Sequence, residues 1–408
     1  MLSHIKRFIA LLKRQSRKLL VSATLSALIV FLCYLMNNCP YPLWDSLEKF
    51  SWMEYILSNL PSHEIDTSDA LFINVSHDKQ IVNVSFNREG TTYTYTPKGL
   101  QDGTIDIINR DTLLSFLKKA EKADNYKHIF LDIRFEKDIT TKTDSSLLSA
   151  QMSRMRNLSY ATHSDIKKNE LADPTKAVVN DYFTTISNTS FTRYQYLQKN
   201  DRESAALSTY ISVDTTNHKP IKRWGLFYYC NGQLCQNSPF MRIPEDFGKV
   251  ASEKYYDLGS ELLYGWCDED WSNRLKDKVV FVGDYENDVH DTYNGKQPFP
   301  YLTYLAYKEL CEGKHIVSWK SIGFLFTIYV IISLFIMNNK SIWLYIPCIR
   351  RSKNKFLLFI LDMCGFTTLL SVLTIVLYVW FNNIYNVFFP SLIFSVLSLI
   401  FSYKNKSV

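Results

Sequence analysis

The residues able to do chemistry stand at the ends of apolar runs. Residues 71–76 (LFINVS) lead into Ser76-His77-Asp78. Residues 128–133 (HIFLDI) contain Asp132 and lead into Arg134. Residues 278–284 (KVVFVGD) end on Gly283-Asp284 and lead into Glu286, Asp288, His290 and Asp291. If these runs are parallel neighbouring strands, their carboxyl ends share one edge, where ligands collect in such sheets. His77, Asp132, Arg134, Asp284 and Asp288, with Asp78 beside them, would then converge on one acidic, histidine-containing pocket. Ionisable groups held so close shift one another's pKa values, as they do at functional sites. The competing reading makes each residue a local cap that bonds its own loop.

No catalytic signature accompanies them. The chain has no Gly-x-Ser-x-Gly elbow, no His-Glu-x-x-His and no Gly-x-x-x-x-Gly-Lys-Ser/Thr loop. Asp284-x-Glu286-x-Asp288 imitates the start of a calcium loop. Val289 stands where that loop needs Gly, and Gly295 where it needs Glu. Neither a metal nor a cofactor is expected, and no basic patch suggests nucleic acid. Cys230 and Cys235 flank the sequence NGQL. Opposite or diagonal on one hairpin face in an oxidising compartment, they are expected to form a disulfide. The alternative is two reduced, buried thiols. Cys267 and Cys311 are left unassigned.

The elements that must position these residues alternate between strand and helix. Between the first two apolar runs, IVNVSF and TTYTYT read as a hairpin around residues 87–90. Asp111 reads as the N-cap of a helix to about residue 123, and Thr143-Asp144 as the opening of a helix over 145–155. LSYAT (158–162) is a further strand. Asp201 reads as the cap of a helix to about residue 211. GLFYYC starts a hairpin around Asn231-Gly232, and residues 301–311 form a closing helix. That order predicts an α/β fold with a mostly parallel sheet and flanking helices.

Four apolar runs bracket this region, at residues 19–36, 322–337, 356–381 and 384–403. Each approaches the ~20 residues a helix needs to cross a bilayer. The 408 residues therefore exclude both a wholly soluble enzyme and a many-helix transporter. Thirteen basic residues and no acid lie in 1–18, 339–355 and 404–408. Residues 38–319 carry 32 Lys+Arg against 39 Asp+Glu. The positive-inside rule places the three basic segments, and both chain ends, in the cytoplasm. The expected layout is membrane helices at 19–37, 320–338, 356–381 and 384–403, with an extracytoplasmic domain at 38–319, in the plasma (inner) membrane. The first helix reads as an uncleaved anchor, because NNCPYPLWD offers no small-x-small cleavage site. Asp362 lies inside the third run. It is expected to snorkel toward Arg350, Arg351 or Lys355, or else to be paired, protonated or near water.

The segments FINVSHD, INRDTLLSFLKKAEK, HIFLDIRF, TDSSLLSAQM and LKDKVVFVGDYENDVHDTYNGKQPFP follow one another in an order that resembles the type-two CHASE domain, a sensory extracellular domain associated with cyclases and histidine kinases. One membrane helix before the domain and three after it fit that layout. The resemblance implies a ligand-sensing outer domain, and its Arg-led helix adds Arg110 to the candidate ligand-binding residues. Two departures stand out. TIDIINRD replaces a Trp-Pro-rich segment, and Pro298 through Ala306 lacks the family's Gly and His. Members often continue into a cytoplasmic output domain, whereas this sequence stops after its fourth apolar run. The resulting expectation is a sensor of an unidentified small ligand that signals through separate partner proteins, with homo-oligomerisation open. A structural subunit of an envelope complex and an extracytoplasmic enzyme are the competing classes.

Overall fold

The computed structural model describes residues 2–38, 55, 58–59, 65–86, 101–135, 147–162, 174–181, 191–244, 255–338, 355–381 and 383–404. The three apolar runs become β1 (Ala70–Asn74), β4 (His128–Leu131) and β11 (Val279–Gly283). β11 lies between the other two and pairs with both in parallel. β5 (Leu158–Thr162) and β6 (Ala177–Val179) extend the sheet beyond β4, and β10 (Tyr255–Asp257) closes the other edge. The order is β10-β1-β11-β4-β5-β6, and every pairing is parallel.

Side chains alternate across these strands, so the sheet buries both faces. Phe72, Phe130 and Phe281 enter one core with α4 (Ala205–Val213) and α6 (Phe299–Cys311). Leu71, Ile73, Leu131 and Val282 enter the other with α2 (Arg110–Ala123), α3 (Ser149–Arg154) and α5 (Asp268–Leu275). The fold is thus a helix–sheet–helix sandwich.

Local structure corrects several expectations. β2 (Lys79–Phe86) pairs antiparallel with β3 (Gln101–Ile108). The expected turn at 87–90 and the TTYTYT strand lie outside the described residues. β3 escapes notice in the sequence because QDGTIDII interrupts its apolar alternation with Asp102, Gly103 and Asp106. Asn109, not Asp111, caps α2: its Oδ1 accepts from the amides of Asp111 and Thr112. Ser204, not Asp201, caps α4 by accepting from Leu207 N. In each case the cap is whichever oxygen meets the free amides where the chain actually turns.

The Cys230–Cys235 disulfide is absent; both are buried free thiols. β8 (Phe227–Cys230) and β9 (Gln233–Cys235) join through the two-residue turn Asn231-Gly232, both at positive φ. That turn sets Cys230 opposite Gln233 and Cys235 opposite Tyr228. The cysteines are therefore diagonal neighbours, which lie roughly 7–8 Å apart, beyond bridging distance.

Among the described residues, three helices are long and apolar enough to cross a membrane. They are the Ser16–Asn38 part of α1 (Leu2–Asn38), α7 (Trp319–Met337), and the Phe359–Phe381 part of α8 (Lys355–Phe381). This marks a multi-pass membrane protein. The fourth apolar run becomes α9 (Phe388–Lys404), whose apolar part, Phe388–Phe401, is shorter. The helix starts late because Asn386 Oδ1 accepts from Phe389 N at 3.0 Å, while Ile384, Tyr385 and Val387 are buried in the bundle core.

α1 and α7 run antiparallel. Lys18 Nζ lies 2.5 Å from Asn338 Oδ1, Ser26 Oγ 3.4 Å from Ser333 Oγ, and Cys33 Sγ 4.0 Å from the Tyr329 hydroxyl. At the other end Asn37 donates to the Ile384 carbonyl and Asn383 to that of Ile316. Asp362 accepts from Ser398 Oγ of α9 at 2.6 Å, a partner within the bundle.

The sheet domain is clamped to these helices. Tyr34 of α1 donates to the Cys235 carbonyl and accepts from Tyr228 N, both at 3.0 Å. Arg193 donates to the carbonyls of Asn37 and Ser238 and lies 3.6 Å over the Phe240 ring. Arg242 donates to the Tyr378 hydroxyl of α8 at 2.6 Å.

Candidate functional site

A cleft of about 400 Å³ opens at the carboxyl edge of the sheet, beyond β11 and β4. It is lined by Lys79, Asp106, Ile107, Ile108, Arg110, Asp132, Ile133, Arg134, Asn180, Asp288, His290 and Phe299. Four of the sequence candidates share it: Arg110, Asp132, Arg134 and Asp288.

Asp132 follows β4 directly, and its amide donates to the Val282 carbonyl of β11 at 2.7 Å. Its Oδ1 accepts from Asn180 Nδ2 at 2.9 Å. Asn180 Oδ1 in turn accepts from the Tyr194 hydroxyl at 2.9 Å and from Thr303 Oγ1 at 3.3 Å. The other carboxylate oxygen, Oδ2, is buried and has no hydrogen-bond partner among the described residues. A buried acceptor left unpaired costs the desolvation of that group, typically about 1–3 kcal/mol. Burial first, and the Asp288 carboxylate second, push the Asp132 carboxyl up to about 7, against the lowering effects of Asn180 and Arg134. Near neutrality Asp132 is thus poised between carboxylate and carboxylic acid.

Around it the cleft carries both signs of charge. Asp288 lies 3.3 Å from His290 Nε2, and its carbonyl accepts from Phe299 N at the start of α6. The His290 ring meets Phe299 edge-on at 4.8 Å. Arg110 opens α2, is buried, donates to the Arg134 carbonyl at 3.3 Å and lies 4.7 Å over the Phe135 ring. Arg134 is exposed. Gly283 permits the close approach of the walls: a Cβ there would fall 2.4 Å from Pro300 Cγ and 3.1 Å from Asp132 Cβ.

The other three candidates point elsewhere. Asp284 accepts from Ser76 Oγ at 2.5 Å, Lys79 Nζ at 2.8 Å and Asn287 N at 2.8 Å, so it fastens the loops after β1 and β11. Burial works to raise its carboxyl, and the bonds from Lys79, Ser76 and Asn287 outweigh it, holding the group below the usual carboxylate range. Asp78 Oδ2 accepts from Gly259 N at 2.9 Å. Burial raises the Asp78 carboxyl against that bond. His77 pairs with Glu286 at 3.0 Å on the surface. For these residues the local-cap geometry is the one present. Lys79 links the two groups, since it lines the cleft while paired to Asp284.

Sequence reasoning missed Asn180, Lys79 and Phe299. A signal for Asn180 existed: AVVN repeats, in miniature, the pattern of an apolar run ending in a polar residue. Among the described residues no group of three His, Cys, Asp or Glu side chains is placed to hold a metal ion. No protein-family profile, curated protein or solved structure matches the chain.

Proposed function

We propose that this chain is a membrane-anchored sensory protein whose sheet domain, outside the cytoplasm, binds a small zwitterion of amino-acid type and signals through partner proteins. The observation that carries the reading is the buried Asp132 Oδ2 in the cleft, which has no partner among the described residues. Together with Asp288 it calls for a cationic donor. Arg110, Arg134 and Lys79 give the wall of the same cleft positive charge, which suits an anionic group. The volume falls in the range of small-molecule sites, about 300–1,000 Å³. The resemblance to type-two CHASE domains points the same way.

The reading includes four membrane crossings with both chain ends in the cytoplasm. At 17 residues, α9 spans about 26 Å, close to the ~30 Å of hydrocarbon. The basic residues that precede the apolar part of α1, those between the apolar parts of α7 and α8, and those that follow the apolar part of α9 fall on one side in this arrangement. The Lys18–Asn338 contact supports it by bringing two of those ends together.

Native mass spectrometry of the full chain in nanodiscs tests for a retained small ligand, and thermal shift with a panel of amino acids tests for binding. We expect at least one amino acid to stabilise the protein and Asp132→Asn to remove that shift. No adduct and no shift across the panel would refute the ligand reading. For topology, an impermeant thiol reagent applied to intact cells should reach the exposed Cys267 and not a Ser16→Cys variant. The reverse pattern would overturn the orientation.

A further inference from the structure

The β7–β8 hairpin leaves large apolar side chains uncovered at a defined level of the molecule. β7 (Lys222–Trp224) and β8 pair so that Trp224 stands opposite Phe227, with Gly225-Leu226 as the turn. Trp224 is 75% exposed and Leu226 52% exposed. In water such an exposed pair at a hairpin tip marks an interaction site.

The neighbouring residues fix where that tip lies. Tyr228 N bonds the Tyr34 hydroxyl. One residue nearer the turn, the Phe227 ring packs 5.6 Å from Tyr34 and 5.9 Å from Phe31. Phe31 is one turn further into the apolar helix than Tyr34. It lies seven residues before Asn38, the end of α1, which is about 10 Å along the axis. From Tyr228 to Phe227 the chain therefore steps from Tyr34 toward Phe31, and the turn Gly225-Leu226 follows next along the hairpin. Leu35 of α1 and Ile322 of α7 join Phe227 and Tyr229 around the same small apolar cluster. Trp319, 74% exposed, opens α7 at the same end of the bundle. Tryptophan prefers the boundary between headgroups and acyl chains, where its ring is buried and its N–H stays wet.

We infer that the tip Trp224-Gly225-Leu226 is a wedge inserted into the phospholipid leaflet that surrounds the Asn38 end of α1. The lipid that covers α1 at Phe31 covers the hairpin tip as well. Lys222 and Arg223, both exposed and one step up the hairpin, stand at the level of the headgroup phosphates. The wedge gives the sheet domain a second attachment to the bilayer and fixes its tilt. The inference rests on α1 spanning the membrane and is independent of the ligand cleft.

The test uses the full chain in phosphatidylcholine/phosphatidylglycerol vesicles. An environment-sensitive thiol dye is placed by Trp224→Cys, Leu226→Cys, Leu28→Cys or Lys118→Cys, and the signal of the identically labelled parent is subtracted. Leu28 lies on the exposed face of α1, and Lys118 on α2 beyond the opposite face of the sheet. We expect dyes at 224 and 226 to lose iodide quenching, shift to the blue and be quenched by lipid-borne nitroxide, as at 28 and unlike at 118. Iodide quenching at 224 and 226 equal to that at 118, with position 28 still lipid-quenched, would overturn the wedge and leave the spanning helix intact. Shielding of 224 and 226 from both quenchers would also overturn it, by showing protein rather than lipid over the tip. Iodide quenching at position 28 would instead remove the spanning helix on which the inference stands.

Discussion

Asn180 donates to Asp132 at 2.9 Å and so joins the ends of β4 and β6, two strands separated by β5. The bond satisfies one carboxylate oxygen and leaves the other for whatever enters the cleft. Tyr194 and Thr303, donating to Asn180, hold the amide so that its NH₂ faces Asp132. This wall of the cleft is thereby built from four separate stretches of chain.

The Asp132 carboxyl should make stability pH-dependent with a definite sign. Its folded pKa, about 7, exceeds that of an unfolded Asp. Its contribution is therefore complete below about pH 4 and is lost as pH rises through 7. A shift of about three units caps the effect at about 4 kcal/mol. Asp132→Asn keeps the acceptor for Asn180 and removes the titration, so its stability relative to the parent should climb from pH 4 to pH 8. Glu309, which burial pushes up to about 7, titrates in the same window, so the quantity to follow is the variant-minus-parent difference. A difference that is constant over that range would show that Asp132 does not titrate there.

Gly283→Ala should destabilise the domain by about 1–3 kcal/mol, because the new methyl would fall 2.4 Å from Pro300 Cγ, closer than side chains pack, with Asp132 Cβ tight against it at 3.1 Å. Thermal unfolding of the purified chain reads this directly. A melting temperature equal to the parent's would mean that α6 can move away from β11.

Asp284→Ala should also destabilise, by roughly 1.5–3 kcal/mol, through the loss of charge-assisted bonds from Lys79, Ser76 and Asn287. Because the folded carboxyl is held low, its stabilisation is present above about pH 4 and disappears on acidification. The melting temperatures of parent and variant should therefore converge as pH falls toward 2. A gap that widens on acidification would contradict the role given to Asp284.

Reduction should leave the protein unchanged. Cys230 and Cys235 are free thiols, so dithiothreitol should not move the melting temperature. Alkylation after denaturation without reductant should modify both. Recovery of a bridged peptide would contradict the diagonal placement.

Removing the Tyr34 hydroxyl should loosen the domain from the helices. Tyr34→Phe strips a donor from the Cys235 carbonyl and an acceptor from Tyr228 N. Buried amides left unpaired cost about 1–3 kcal/mol. Hydrogen exchange of β8 and β9 should accelerate, with β1 and β11 unaffected. Equal rates in the variant and the parent would show that another group takes over the bond.

Much of this architecture was legible in the residues themselves. LFINVS, HIFLDI and KVVFVGD are short runs apolar on both alternating faces, the pattern of strands in a sheet covered on two sides. Asn231-Gly232 announced its hairpin because both positions need positive φ. Long apolar runs flanked by basic residues announced the membrane helices. What tertiary structure alone decided was which polar strand end faces the cleft and which one closes a loop. Asp132 and Asp284 both end apolar strands, and their sequence surroundings are alike. Asp284 is claimed by Ser76, Lys79 and Asn287, whereas Asp132 meets Asn180, 48 residues away, and keeps one buried oxygen without a partner among the described residues. The same holds for Cys230 and Cys235, where a two-residue shift of cross-strand register separates a directly opposed pair from a diagonal one. Such outcomes depend on contacts between segments far apart in the chain, and no local pattern of residue types records them.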